Sequence, residues 1–185
     1  MGKITVFNFT TLNGYYKGAK EDISWHKHGK EENKYAEKAL QSGNTLLFGR
    51  VTYQMMESFW PTPMALEMDP VVAKGMNESH KIVFSTNLKK VGWQNTKLIK
   101  TDLIEEVKKL KKLQQDITIL GSGSIVTQLA DHGLIDEYQF MIDPIALGKG
   151  EPMLKGLKHP LNLKLISTKI FKSGVVLLCY QPVRG

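Results

Sequence analysis

At 185 residues, with 42% hydrophobic and 23% charged, the chain has the length and balance of one globular domain with a substantial core. No apolar stretch approaches the roughly 20 residues that a membrane-spanning helix needs, and the start, Met1-Gly2-Lys3-Ile4-Thr5-Val6-Phe7, lacks the apolar core and cleavage site of a secretory signal, so a cytoplasmic, non-membrane protein is expected. The net charge of +7 comes almost wholly from lysine, with Arg50 and Arg184 the only arginines; this argues against nucleic-acid binding, where the arginine fork is preferred for guanine and phosphate.

Residues 3–10 read as a first strand rich in β-formers. Asn13-Gly14 signals a turn, and Gly18 keeps the next segment loop-like. Residues 31–42 suit a helix that stops at Gly43. Thr45-Leu46-Leu47-Phe48 is a short apolar run of the buried-strand type, and residues 51–58 read as helical. Residues 61–70 hold three prolines and read as a loop, with Asp69-Pro70 opening a short helix. Lys81 to Ser85 and Thr96 to Ile99 are two further strands. Asp102 caps a helix striped with Leu103, Val107 and Leu110. The basic run Lys108-Lys109-Leu110-Lys111-Lys112 falls near the end of that helix, where lysines complement the dipole.

Ile117-Thr118-Ile119-Leu120 is another strand, followed by a glycine loop and a helix from about Ser124 to Asp131. Tyr138 to Ile142 is strand-like. Residues 161–171 and 174–180 form two long strands around a turn at Ser173-Gly174. The lone Cys179 lies in an apolar run and reads as a buried core thiol, with no disulfide available to it. Alternating strands and helices imply an α/β protein. Its sheet should be mostly parallel, flanked by helices, with a C-terminal antiparallel hairpin, all in one domain over residues 1–185.

Three loops, each just after a buried-type strand, carry small or hydroxyl residues. They are Phe48-Gly49-Arg50-Val51-Thr52, Phe84-Ser85-Thr86-Asn87 and Leu120-Gly121-Ser122-Gly123-Ser124-Ile125. Ligands of open α/β sheets bind outside the carboxyl ends of the strands. A helix start there offers N–H groups and a positive dipole end to a phosphate, and Arg50 adds a charged fork. Together the three point to a phosphate-bearing ligand, with a plain turn and N-cap at the glycine loop and a surface salt bridge at Arg50 as the rival readings. The usual dinucleotide fingerprint is absent, because Gly121-Ser122-Gly123-Ser124-Ile125-Val126 lacks its third glycine.

The run Ile119-Leu120-Gly121-Ser122-Gly123-Ser124, then Leu129, Gly133-Leu134-Ile135-Asp136-Glu137-Tyr138, Pro144 and Gly148-Lys149-Gly150, resembles the C-terminal reductase domain of bifunctional riboflavin biosynthesis proteins. Leu12-Asn13-Gly14 and Gly49-Arg50-Val51-Thr52-Tyr53 match the same family, and the likeness spans about residues 3–181. Asn13 stands where the family commonly has Asp. The resemblance implies the dihydrofolate reductase-like fold, NADPH as hydride donor and a stand-alone bacterial relative without the deaminase half. By position it implies that Gly49, Arg50 and Thr52 hold cofactor phosphates. Ser85 and Thr86 would lie near the adenosine ribose and its 2′-phosphate, and Gly121, Ser122, Gly123, Ser124 and Ile125 would cradle the pyrophosphate. The loop from Leu12 to Trp25 would cover the nicotinamide, which makes Asn13, Gly14, Tyr15 and Trp25 candidate substrate contacts. Glu32 is the candidate catalytic acid, with a solvated helix start as its rival reading.

Tyr15, Trp25, Phe59 and Trp60 are candidate walls for a flat substrate, and packing accounts for each equally well. The histidines, His26 and His28 included, show no metal-ligand spacing, so no metal is expected. Two functions remain open. One is an NADPH-dependent reductase of the 5-amino-6-(5-phosphoribosylamino)uracil reductase type, acting on a small heterocyclic or sugar-linked molecule. The other is a nucleotide- or ligand-binding protein that keeps the fold without turnover. The long C-terminal strands offer a pairing surface, and related reductase domains dimerise, so a homodimer is expected.

Overall fold

The computed structural model describes residues 1–26 and 29–183. Ten strands and six α-helices are found among the described residues. They are β1 (Ile4–Thr11), β2 (Tyr15–Gly18), α1 (Lys30–Gln41), β3 (Thr45–Gly49), α2 (Arg50–Phe59), α3 (Pro63–Met68), α4 (Pro70–Glu78), β4 (Lys81–Phe84), β5 (Thr96–Ile99), α5 (Leu103–Lys112), β6 (Ile117–Gly121), α6 (Gly123–Asp131), β7 (Glu137–Asp143), β8 (Gly150–Pro152), β9 (Leu163–Ile170) and β10 (Val176–Pro182). All but β2, α3 and β8 are expected from the sequence. Eight strands form one sheet in the order β5-β4-β3-β6-β1-β7-β10-β9. The six from β5 to β7 run parallel, and the β9–β10 hairpin adds antiparallel to β7.

Helices cover both faces because successive strand residues point to opposite sides. Ile4, Val6, Leu47, Ile117 and Ile119 pack with Leu103, Val107 and Leu110 of α5 and Val126 and Leu129 of α6. Leu46, Phe48 and Val83 pack with Tyr53 of α2, Val72 and Met76 of α4, and Trp93. Phe7, Met141, Phe171 and Leu177 pack with one another and with Tyr35 of α1. Cys179 is buried, and burial raises its thiol pKa. No helix among the described residues is long and apolar enough to cross a membrane.

Two segments depart from expectation. Residues 61–70 are not a continuous loop: Thr62 Oγ1 accepts the Ala65 N–H at 3.2 Å and Pro63 opens α3. Proline suits a first helical turn, where its missing N–H has no partner to lose. The segment after Gly14 is β2, paired with β8 in a second, two-stranded sheet. Local sequence hides that strand, since its partner lies more than 130 residues away.

Lys81 opens β4 and is almost completely buried. Its ammonium donates to the carbonyls of Met76, Asn77 and Ser79 at 2.8, 3.0 and 2.7 Å and lies 4.5 Å from the centroid of the Trp93 ring. It therefore closes the C-terminal end of α4, where helix carbonyls lack internal partners. Lys111, in the basic run of α5, is likewise buried and pairs with Asp136. That residue belongs to the core and not to a solvated face.

The sheet forks at its centre. β1 and β6 pair through Ile4↔Ile117, Thr5↔Thr118 and Val6↔Ile119 and then separate. β6 stays with β3 as far as Phe48↔Gly121, while β1 stays with β7 as far as Thr11↔Asp143. The fork opens at the carboxyl ends of the parallel strands, where the connecting loops meet.

Candidate functional site

Two of the three expected loops come together at that edge. A Cβ placed on Gly49 would lie 2.5 Å from Ser122 Oγ, and one on Gly121 would lie 2.8 Å from Thr52 Oγ1. The turn from β3 into α2 thus packs directly on the turn from β6 into α6. Gly121 has φ +128°, a backbone conformation that side chains rarely adopt, and the Gly121–Ser122 peptide is cis. Gly123 packs under the Tyr16 ring, which an added Cβ would meet at 2.9 Å. These glycines are explained by close approach within the chain, and the two helix starts are adjacent as a result.

The two helix starts share an electrostatic character. Neither N-cap, Gly49 for α2 or Ser122 for α6, has a side chain that accepts a helix N–H, and neither first turn holds an acidic residue. By contrast, α1 begins with Glu31 and Glu32, α4 is capped by Asp69, and α5 is capped by Asp102 with Glu105 and Glu106 behind it. Two uncompensated positive dipole ends side by side suit an anion. Arg50 stands in the first turn of α2, exposed, with Nη1 donating to Gln54 Oε1 at 3.0 Å. Ser124 is exposed at the start of α6, and its Oγ lies 2.9 Å from Ser122 Oγ. Ile125 is buried and packs toward Gly49, so its part is to hold the two turns together.

Ser85 and Thr86 follow β4, the strand beyond β3, and so extend the same edge. Ser85 Oγ accepts the Asn87 and Leu88 N–H groups at 3.3 and 3.0 Å, which shapes the turn, while Thr86 is exposed.

The β1–β2 connection roofs the fork. Asn13 is committed to it: its Oδ1 accepts from Thr11 Oγ1 and the Leu147 N–H, and its Nδ2 donates to the Leu147 carbonyl. An Asn supplies a donor and an acceptor there, as a carboxylate could not. Gly14 takes φ +82° in the turn, and Tyr15 pairs with β8. Tyr16, which the sequence did not single out, reaches α6 and packs on Gly123. Desolvation raises its pKa, against the lowering effect of Lys17.

On the α1 side of the sheet, two acidic groups are sequestered. Glu32 is 1% exposed and accepts the Ser173 hydroxyl of the β9–β10 turn, so the solvated helix start considered for it does not occur. Asp143, at the end of β7, pairs with His26 Nδ1 at 2.8 Å, and the His26 ring stacks on Phe9 at 3.6 Å. Trp25 lies edge-on to His26, with its Nε1 donating to the Asp22 carbonyl. His28 lies outside the described residues. Trp60 packs with the α2–α4 core and Phe59 lies edge-on to it, so neither needs a ligand to explain its position. An open cleft of about 390 Å³ runs beside the start of α1, lined by Lys30, Lys34, Met68 and Val71 among others.

The sequence matches the RibD C-terminal domain family over residues 2–177. An uncharacterized Bacillus subtilis protein, YyaP, is 30% identical over 92% of this chain and 90% of its own length. The structure superposes on a Thermotoga maritima diaminohydroxyphosphoribosylaminopyrimidine deaminase/5-amino-6-(5-phosphoribosylamino)uracil reductase with TM-score 0.69 at 13% identity, covering 98% of this chain and 57% of that one. It superposes on Enterococcus faecalis dihydrofolate reductase complexed with NADP(H) with TM-score 0.65 at 14% identity, covering 98% and 96%. At those identities the superpositions establish a shared fold. The sequence match over residues 2–177 establishes that this chain belongs to the RibD C-terminal domain family.

Proposed function

We propose that the chain is an NADPH-dependent reductase of a small heterocyclic or sugar-linked molecule, working in the cytoplasm. The carrying observation is the junction of two uncapped, acid-free helix N-termini at the carboxyl edge of the sheet, with Arg50 beside them. That arrangement suits a pyrophosphate, and the solved relative of the same fold with NADP(H) supports the choice of dinucleotide. Gly49, Arg50 and Thr52 would hold phosphate from one side, Ser122, Gly123 and Ser124 from the other, and Ser85 and Thr86 would border the adenosine. When bound, the dinucleotide supplies the hydride. The protein's share is to orient it, exclude water beneath the Tyr16 and Trp25 loop, and supply a proton. Glu32 would supply that proton, and the His26–Asp143 pair is the other titratable pair sequestered on the α1 side.

Calorimetric titration tests this reading. The wild type should bind NADPH more tightly than NADH, and Arg50→Ala should weaken NADPH by about 1.5–3 kcal/mol, roughly 10- to 150-fold, for a lost charge-assisted contact. The melting temperature should hardly change, because Arg50 is exposed and, among the described residues, its hydrogen bond runs along its own helix to Gln54. Absent or equal binding of the two nucleotides would remove the cofactor reading. Oxidation of NADPH by a pyrimidine substrate would separate a reductase from a protein that only binds nucleotide.

The same reading includes a homodimer. β9 forms the sheet edge and exposes Leu165, Ile166 and Ile170, the last at 77%. A long edge strand with apolar side chains is a pairing surface unless something blocks it. Sedimentation should show the mass of two chains, with Ile170→Lys shifting it to one. A wild-type monomer at micromolar concentration would refute the dimer.

A further inference from the structure

Asn8 sits where the sheet forks, and nothing in the phosphate reading uses it. It lies two residues past Val6, the last residue of β1 that pairs with β6, and its side chain is buried at 8% exposure. Its Nδ2 donates to the Leu120 carbonyl at 3.1 Å. That carbonyl can only accept, so the nitrogen must face it and the amide orientation is set. Among the described residues, Oδ1 is then left buried without a hydrogen-bond partner. A buried acceptor left unmatched costs about 1–3 kcal/mol, so such an atom calls for a partner that the chain itself does not provide.

The position narrows the partner. Leu120 immediately precedes Gly121-Ser122-Gly123, so one hydrogen bond joins Asn8 to the residue adjoining the proposed anion-binding turn. Beyond Val6, β1 has no ladder partner on its β6 side among the described residues, and the Asn8 side chain bridges the two strands in place of the ladder. A ligand lying across this edge with its phosphates at α2 and α6 would bring its other end to the fork. The unmatched acceptor requires an N–H or O–H there.

We infer that Asn8 Oδ1 accepts an N–H from the carboxamide of the bound dinucleotide and so fixes the rotation of its nicotinamide ring. This rests on the NADPH reading above and adds a positioning residue to it. A neutral hydrogen bond in a desolvated site should change affinity by about tenfold.

The experiment compares NADPH with the reduced 3-acetylpyridine analogue, whose methyl ketone cannot donate, and with adenosine 2′,5′-bisphosphate, which has no nicotinamide. Each is titrated into the wild type, Asn8→Leu and the smaller Asn8→Ala. The preference for NADPH over the analogue should fall about tenfold in both variants, with the bisphosphate affinity unchanged. Because the readout is a ratio on one protein, a general loss of stability cancels from it. An unchanged ratio would mean that Oδ1 serves a buried water or nothing, and would overturn the Asn8 assignment while leaving NADPH binding intact. Failure of the wild type to bind NADPH would instead remove the cofactor reading and this inference with it.

Discussion

Gly121→Val should destabilise the protein by about 4 kcal/mol, and any loss of nucleotide binding should follow from that. Two independent costs add. At φ +128° a residue with a Cβ is strained by about 1–3 kcal/mol. The new Cβ would also lie 2.8 Å from Thr52 Oγ1 and 3.3 Å from Thr52 Cγ2, an overpacking that costs about 1–3 kcal/mol more. Thr52 belongs to α2, so relief by shifting it would pull the β3–α2 turn away from the β6–α6 turn. The sequence alone suggests this variant as a probe of close approach by a pyrophosphate. The structure shows that the space in front of Gly121 is filled by the chain itself, so Arg50→Ala is the cleaner probe of phosphate binding. Denaturant unfolding of Gly121→Val checks the expectation, and wild-type stability would show that the two turns are not in contact in solution.

Lys81→Met should cost about 3 kcal/mol at neutral pH. The substitution keeps an unbranched chain of similar length and removes the ammonium, leaving three carbonyls at the end of α4 without their donor. The contact with the Trp93 ring is lost as well. The deficit should also depend on pH. Burial pushes the Lys81 pKa from 10.5 down to about 8, so between those values the unfolded chain binds the proton more tightly than the folded one. Wild-type stability therefore gains from this group as pH rises from about 8 to 10.5, and the variant has no such gain. The gap between the two proteins should widen across that range. Chemical unfolding at pH 7 and pH 10 measures it, and a gap that narrows would show that the three carbonyls and the Trp93 ring outweigh desolvation and hold the ammonium.

The order of helices and strands was readable because each element carries its own signal. Thr45 to Gly49 is a continuous apolar run, α5 has one apolar stripe behind the Asp102 cap, and Asp69-Pro70 opens α4 as written. The resemblance of the loops to a reductase family rested on short contiguous motifs, and these survive in one sequence. The sequence by itself therefore determined the α/β class, the mostly parallel sheet with its terminal hairpin, and the glycine turns at the strand ends. Tertiary structure decided what those residues meet. Only it shows Gly49 on Ser122 and Gly121 on Thr52, β2 paired with β8, Glu32 sealed by Ser173, and Lys81 and Lys111 drawn into the core. Asn8 is the clearest case, an ordinary polar residue in a β-forming run until the parting of β1 from β6 leaves its oxygen buried. The physical reason is range: periodicity and capping act over a few neighbouring residues, whereas desolvation and close packing depend on groups a hundred residues apart that only the folded chain brings together.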